Sequence, residues 1–232
     1  AYRGEILAHR RAGDLQKMRE VLPRAEEKCR EVEREVPGLA EPNFRLGRIY
    51  RAAMRFDEAM EEQNKAILKS PQDPDARYER GLLGSQKYWD RQKAAEQMFR
   101  SRMFGQEWGS RLQNPSLSDL EGVDPEMSRW KAVAREDLKT AGNSVAARAL
   151  LMYLEGRNEE ACRFLEEVIL KEPEREECWE ILGMLAREQG RYGEALEWFR
   201  KGLERDKGYY VFMDRRAEIL VTRATEQWRQ GG

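Results

Sequence analysis

A repeat of 34 residues constrains the fold of this chain more than any other feature of its sequence. Small or helix-breaking residues recur at this interval, namely Pro37 and Pro71, Gly47 and Gly81, and Ala149, Gly183 and Ala217. A fixed period of this length is typical of architectures in which every repeat is a pair of helices. Because one such pair cannot bury its apolar face alone, neighbouring pairs must stack. We therefore predict an all-α superhelix that offers an extended binding surface.

Residues 41–53 and 57–69 are predicted to form the clearest helix pair. Their apolar residues recur every three or four positions, which marks one buried face on each helix. Gly47 and Ala59 are small at the point where the two helices should cross. Pro71 should end the second helix, because proline disfavours the helical conformation of the residue before it.

Two segments of the sequence resemble tetratricopeptide repeats. The first is LAEPNFRLGRIYRAAMRFDEAMEEQNKAILKSP, which matches the family at Leu46, Gly47, Tyr50, Phe56, Ala59, Ala66 and Pro71. The second is EECWEILGMLAREQGRYGEALEWFRKGLERD, with Trp179, Leu182, Gly183, Gly190, Tyr192, Ala195 and Phe199 at the corresponding places. The resemblance implies a right-handed superhelix whose first helices line a concave groove. It also implies a role as a scaffold between proteins.

We predict a single superhelical domain over residues 1–232. Repeat-like units are expected near residues 6–39, 40–73, 74–104, 142–175 and 176–209. In the third unit, the second helix is expected at about 88–103. Turn-forming residues predict an irregular linker at 105–125, and a last helix at 210–229 should cap the stack.

The repeat phase continues across this irregular middle, since Pro71 and Pro173 are separated by three periods. Two arrangements are compatible with that spacing. In one, a degenerate helix pair lies at 108–141. In the other, an inserted loop joins two blocks of repeats.

The sequence has no pattern of residues that indicates catalysis. His9 is the only histidine, so a catalytic site that needs an imidazole would have to use it. The cysteines Cys29, Cys162 and Cys178 are scattered singly, whereas a zinc site needs about four clustered ligands. We therefore predict no enzyme activity, no cofactor and no metal. An enzyme that uses 105–125 as a lid is the weakest alternative.

The composition also excludes nucleic-acid binders and membrane-spanning proteins, and it indicates a cellular compartment. The chain has 42 basic and 43 acidic residues, so it lacks the basic excess of a nucleic-acid binder. No apolar run reaches the ~18 residues of a membrane span. Unpaired cysteines favour a reducing compartment, and hence the cytoplasm. The first residue is Ala1 and not Met, which suggests a piece of a longer protein.

Charge is distributed unevenly along the chain. Residues 1–105 have a net charge of +4 and residues 106–232 one of −5. Residues 155–180 carry ten Glu against four Lys or Arg. This segment is either a solvated helix face or an acidic patch for a basic partner.

The groove implied by the resemblance selects candidate partner-binding residues on the first helix of each pair. Those expected to face the groove and to be exposed are Phe44, Arg48, Arg51, Tyr78, Leu150, Tyr153, Met184 and Arg187, with Glu180 beside them. Arginine next to aromatic residues suits a peptide that bears carboxylates, because guanidinium binds carboxylate through two parallel hydrogen bonds.

The function predicted from these observations is a non-catalytic scaffold or adaptor that binds a peptide or protein segment in the concave groove. Two alternatives stay open. The domain is then either a self-association module that forms homo-oligomers, or the regulatory region of a larger signalling protein such as a bacterial serine/threonine kinase.

Overall fold

The computed structural model describes residues 2–102, 116–142, 144–173, 175–205 and 219–220. Within these ranges the chain is helical and contains no strand. The helices are α1 Tyr2–Arg11, α2 Leu15–Glu35, α3 Glu41–Ala52, α4 Phe56–Lys69, α5 Pro74–Arg102, α6 Leu117–Val123, α7 Glu126–Thr140, α8 Val145–Leu154, α9 Asn158–Lys171, α10 Glu176–Glu188 and α11 Tyr192–Arg205. None of these helices is long and apolar enough to cross a membrane.

Short turns join four of the helix pairs, which are α1 with α2, α3 with α4, α8 with α9, and α10 with α11. The second helix of each pair also contacts the first helix of the next pair, so that the pairs stack in chain order. The predicted all-α stack of helix pairs is confirmed.

Glycine lets the two helices of a pair approach closely. A Cβ atom at Gly183 would lie 2.5 Å from Cζ of Phe199, and one at Gly47 would lie 2.9 Å from Cδ of Gln63. Both distances are shorter than a real Cβ atom tolerates. The recurring glycine is therefore a packing requirement at the crossing point, because a side chain there would push the helices apart.

The turns between paired helices also need an unusual backbone. Gly156 and Gly190 have φ values of 78° and 72° in the turns that follow α8 and α10. Met54 occupies the equivalent place after α3 with φ 61°. Since a side chain makes the left-handed conformation costly, Met54 is a strained position.

The third pair differs from the sequence prediction. The prediction of a separate second helix at 88–103 is wrong, because α5 runs without interruption from Pro74 to Arg102. Ser85 lies within α5, and its hydroxyl donates a hydrogen bond to the carbonyl oxygen of Gly81 over 2.8 Å in the preceding turn of the helix. The partner of α5 is α7.

The crossing of α5 with α7 reproduces the geometry of the regular pairs. A Cβ atom at Gly81 would lie 2.9 Å from Leu138, and one at Gly84 would lie 3.2 Å from Ala134. Leu138 thus has the place that Phe199 and Gln63 have in the flanking pairs. Since α7 packs on α5, helix α6 is an insertion between the two helices of one pair. The alternative of a degenerate pair at 108–141 includes residues 108–115, which lie outside the described residues.

A buried charge cluster joins α7 to α5. Asp137 is completely buried and accepts hydrogen bonds from Arg77 at 2.8 Å and from Arg80 at 2.6 and 2.8 Å. At the end of α6, Arg91 of α5 donates to both carboxylate oxygens of Asp124 at 2.9 and 2.8 Å. These contacts hold α7 and the end of α6 against α5.

A second charge network lies where α2, α3 and α4 meet. Glu33 accepts hydrogen bonds from Arg30, Asn43 and Lys69 at 2.7, 2.9 and 3.0 Å. Arg30 and Asn43 also donate to Glu62, which is 2% exposed. Burial alone would raise the pKa of Glu33, but these hydrogen bonds outweigh it and lower that pKa to about 2.

Helices α6 and α7 also contribute to the main core. Leu120 of α6 and Met127 of α7 are buried with residues of α8 and α10. Most of the linker predicted at 105–125 lies outside the described residues, and its end forms α6, which Ser116 caps through a capping box. The capping helix predicted at 210–229 also lies outside the described residues, except for Ile219 and Leu220.

Candidate functional site

Three of the candidate groove residues are buried. Phe44, Leu150 and Met184 are 9%, 2% and 3% exposed, so the prediction that they are exposed in a groove is wrong. Phe44 packs with Ala76 of the next pair. Leu150 and Met184 lie in the main core. Helical spacing placed these side chains away from their own second helix, but the neighbouring pair covers that side.

Tyr153 is half-buried for a different reason. Its ring centroid lies 5.8 Å from that of Trp89, which belongs to the part of α5 that extends beyond a regular repeat. Trp89 is itself 7% exposed. The extension of α5 therefore packs over the end of α8, and Tyr153 is a packing residue at this junction.

The polar candidates remain at the surface and form one cluster. Arg48 and Arg51 of α3 place their Nε atoms 3.0 and 2.8 Å from the carboxylate of Glu79 on α5. Their side chains are 34% and 30% exposed, whereas that of Glu79 is 6% exposed. Arg48 also stacks over the ring of Phe44, with its guanidinium carbon 5.4 Å from the centroid.

The Arg48–Glu79 contact is an ion pair and not an aligned hydrogen bond, although the two groups are close. Arg48 Nε lies 3.0 Å from Oε1 of Glu79, but it is a buried atom without a hydrogen bond of good geometry among the described residues. Arg51 also donates to Oε1 of Glu79 through Nη2 over 3.5 Å. One carboxylate of α5 thus faces two guanidinium groups of α3.

Tyr78 precedes Glu79 on α5 and is half-buried. Ser144, the residue that caps the start of α8, lies near its hydroxyl. Burial raises the pKa of its phenol well above the usual value, and the nearby carboxylate of Glu177 raises it further, while Arg51 opposes the shift. Groups from α3 and α10 therefore both act on this hydroxyl.

The start of α10 carries two acidic residues. The Glu177 side chain is 39% exposed and its carboxylate lies 3.6 Å from Arg175. Glu180 is half-buried one turn later, and Arg187 is half-buried about two turns further along α10.

Sequence reasoning identified the arginines and Tyr78 but missed Glu79 and Glu177. One signal for Glu79 was available. Arg48 and Arg51 lie three positions apart on one helix face, and two cations that are partly buried there require a carboxylate from the adjacent helix.

A separate feature lies on the second helices. Leu68 of α4 and Leu170 of α9 are 81% and 85% exposed, the largest values among the large apolar side chains of the described residues. They occupy the same register position, in the similar segments AILKSP and VILKEP.

The chemistry of the described residues adds one further observation. No group of three or more His, Cys, Asp or Glu side chains in this part of the chain is placed to hold a metal ion. Arginine, tyrosine and carboxylate side chains make up the cluster around Tyr78, and such groups recognise charged and hydrogen-bonding segments of other proteins.

Comparisons with known proteins agree with this architecture. Sequence models of the tetratricopeptide repeat match residues 40–73 and 176–209. A solved thermophilic tetratricopeptide-repeat protein of Thermus thermophilus is 17% identical, with a TM-score of 0.54, and the match covers 94% of this chain and 99% of that one. The solved structure of MamA is 19% identical, with a TM-score of 0.42, and the match covers 84% and 94% of the two chains.

A comparison with curated proteins finds no match. The likeness to the Thermus protein shows the fold, and the two matched segments coincide with repeats of the stack. Residues 40–73 and 176–209 are therefore tetratricopeptide repeats within a stack of helix pairs.

Proposed function

We propose that this domain is a non-catalytic scaffold that binds an extended segment of a partner protein across α3, α5 and α10. Tetratricopeptide-repeat folds generally mediate protein–protein interaction, and the open stack offers a long surface for that purpose. The observation that carries the proposal is the cluster of Arg48, Arg51, Tyr78 and Glu79. The side chains of Arg48 and Arg51 are about one-third exposed, whereas the apolar candidates are buried.

The chemistry of this cluster suits a protein segment. A guanidinium group has five N–H donors in a planar fork, and Arg48 approaches Glu79 through its Nε side. The partly exposed guanidinium of Arg48 suits a carboxylate of the partner, while the half-buried ring of Tyr78 offers apolar contact beside it. The free thiols of Cys29, Cys162 and Cys178 support a reducing compartment such as the cytoplasm.

Paired affinity captures from the lysate of the source cell test this proposal. The baits are the wild type, a variant with Arg48→Gln and Tyr78→Ala, and a control with Arg200→Gln, which alters an exposed arginine of α11. A partner that the wild type and the control recover but the double variant does not would support binding at the cluster. Equal recovery by all three baits would place binding elsewhere and contradict the proposal.

Self-association is a second candidate, which the exposed leucines Leu68 and Leu170 favour. Two leucines at one register position give a second copy a repeated apolar contact. The test is the molar mass in solution of the wild type and of the Leu68→Lys, Leu170→Lys variant. A dimer that the double variant loses would support this candidate, and a monomeric wild type would exclude it.

A further inference from the structure

The second helices α4 and α9 each present a stripe of three exposed residues that ends in a leucine. The α4 stripe consists of Glu61, Lys65 and Leu68, and the α9 stripe consists of Arg163, Glu167 and Leu170. Residues that are spaced by four and then three positions share one face of a helix, so each stripe is continuous on its own helix. The two leucines are 81% and 85% exposed.

The two stripes carry opposite charges at matching positions. Three repeat periods separate them, so Glu61 corresponds to Arg163, and Lys65 corresponds to Glu167. When two helices lie side by side and run in the same direction, residues at matching positions are neighbours. A contact of this kind between α4 and α9 joins the two leucines and forms an ion pair at each of the other positions. Two copies of α9 in the same arrangement would place like charges together.

The charges of both stripes are available to a partner. Glu61, Arg163 and Glu167 are exposed and have no ion pair within the described part of the chain. Lys65 contacts Glu62 at 2.7 Å, but that carboxylate belongs to the network of α2, α3 and α4, in which three cations face two carboxylates. Lys65 is the most exposed of these cations, at 45%, so the excess positive charge of the network lies at the surface.

One position on the same face opposes this contact. Asp57 and Glu159, one turn before the two stripes, are both acidic. Their repulsion is reduced because Asp57 already pairs with Lys87. The wider charge distribution favours the contact, since residues 1–105 have a net charge of +4 and residues 106–232 one of −5. The first half of one copy is therefore attracted to the second half of another.

We infer that copies of this chain associate through the α4 stripe of one copy and the α9 stripe of the next. This inference rests on the self-association candidate of the proposed function and identifies the contact that it uses. Because every copy has both stripes, the contact forms twice in a closed dimer or once between successive copies of an open assembly. One leucine pair and two surface ion pairs make a small interface, so we expect weak association that decreases in high salt.

Sedimentation velocity over a range of concentrations measures this association. The α9 variant carries Arg163→Glu and Glu167→Lys, and the α4 variant carries Glu61→Arg and Lys65→Glu. An exposed ion pair changes an affinity by about two- to fivefold, and charge reversal turns attraction into repulsion. Either variant alone should therefore associate about tenfold more weakly than the wild type. An equimolar mixture of the two should recover the wild-type affinity to within about twofold, because the two reversed stripes complement each other.

Helix α11 provides the matched control. At the same register it has Glu197 and Lys201, but Glu204 stands in place of the leucine. The Glu197→Arg, Lys201→Glu variant makes the same two changes as the α4 variant, on a second helix that lacks the exposed leucine. It should leave the association unchanged.

Three results would overturn the inference while the self-association candidate stands. These are undiminished association of the α9 variant, no recovery in the mixture of the two folded variants, and an equal loss in the α11 control. A wild type that stays monomeric at the highest concentration would remove both the inference and the candidate. Circular dichroism establishes that each variant is folded. Because Lys65→Glu places a carboxylate beside Glu62, the α9 variant provides the test by itself if the α4 variant is unfolded.

Discussion

Removal of the Asp137 carboxylate should destabilise the domain strongly, because it breaks the charge cluster that joins α7 to α5. Asp137 is completely buried, and Arg77 and Arg80 are 14% and 20% exposed. In the Asp137→Ala variant both guanidinium groups stay partly buried without their carboxylate. A side chain of α7 is thus responsible for neutralising two cations of α5.

The structure sets the size of this effect. Breaking a buried ion pair by removing one partner costs about 3–5 kcal/mol, because the remaining charge is left desolvated. Two contacts moderate the loss, since Arg77 also donates to the carbonyl oxygen of Pro71 and Arg80 to Oδ1 of Asn64, both at 2.9 Å. We therefore expect the lower end of that range, about 3 kcal/mol.

Urea unfolding followed by circular dichroism measures this free energy. The control is Asp57→Asn, which removes a carboxylate that is 82% exposed and pairs with Lys87, and which should cost less than about 0.5 kcal/mol. A loss below about 1 kcal/mol for Asp137→Ala would refute the reasoning, because that is the value for a surface pair. The variant Asp137→Leu, Arg77→Met, Arg80→Met should recover most of the stability, since no buried charge is left unpaired.

Three further predictions concern stability. In thermal melts, Gly183→Ala should cost about 2 kcal/mol because its Cβ would overlap the ring of Phe199, whereas Gly193→Ala meets nothing within 4 Å and should be neutral or stabilising. Met54→Gly should stabilise the domain by about 1 kcal/mol, since it relieves the left-handed backbone; an unchanged melting temperature would contradict this. The lowered pKa of Glu33 corresponds to about 3 kcal/mol of stability above pH ~4.5, which solvent screening of this partly exposed carboxylate reduces to about 2 kcal/mol. This contribution should disappear as the pH falls from 4.5 towards 2. In Glu33→Gln, urea midpoints measured over the same range should depend less steeply on pH.

The repeat architecture could be predicted because its period reflects physical contacts. Gly47 and Gly183 recur since each lies at a helix crossing where a side chain does not fit. The pairing within the third repeat could not be predicted in the same way. The period gives the spacing of residues along the chain, but it does not determine which helix packs against α5 to complete the pair. The three periods between Pro71 and Pro173 are kept although α7, and not a helix at 88–103, completes the repeat.

The candidate site was predicted in part for a similar reason. Helical spacing identifies the face that a first helix turns away from its own second helix, and on this basis it selected Phe44 and Leu150 together with Arg48. Burial by a neighbouring pair depends on how the pairs pack against each other in space. The spacing of residues along one helix does not specify that packing. Charge was the better guide, because the partly exposed Arg48 and Arg51 stay at the surface while Phe44 and Leu150 are buried.

The insertion within the third repeat also has a consequence for the order in which the chain folds. Gly47 and Gln63 are 16 residues apart, as are Gly183 and Phe199, whereas Gly81 and Leu138 are 57 residues apart. Closing the longer loop costs about 1 kcal/mol more in chain entropy, so the third pair should close after its neighbours. During synthesis on the ribosome, α5 emerges long before α7. The apolar face of α5 therefore stays without its partner helix until residue 140, at the end of α7, has left the exit tunnel.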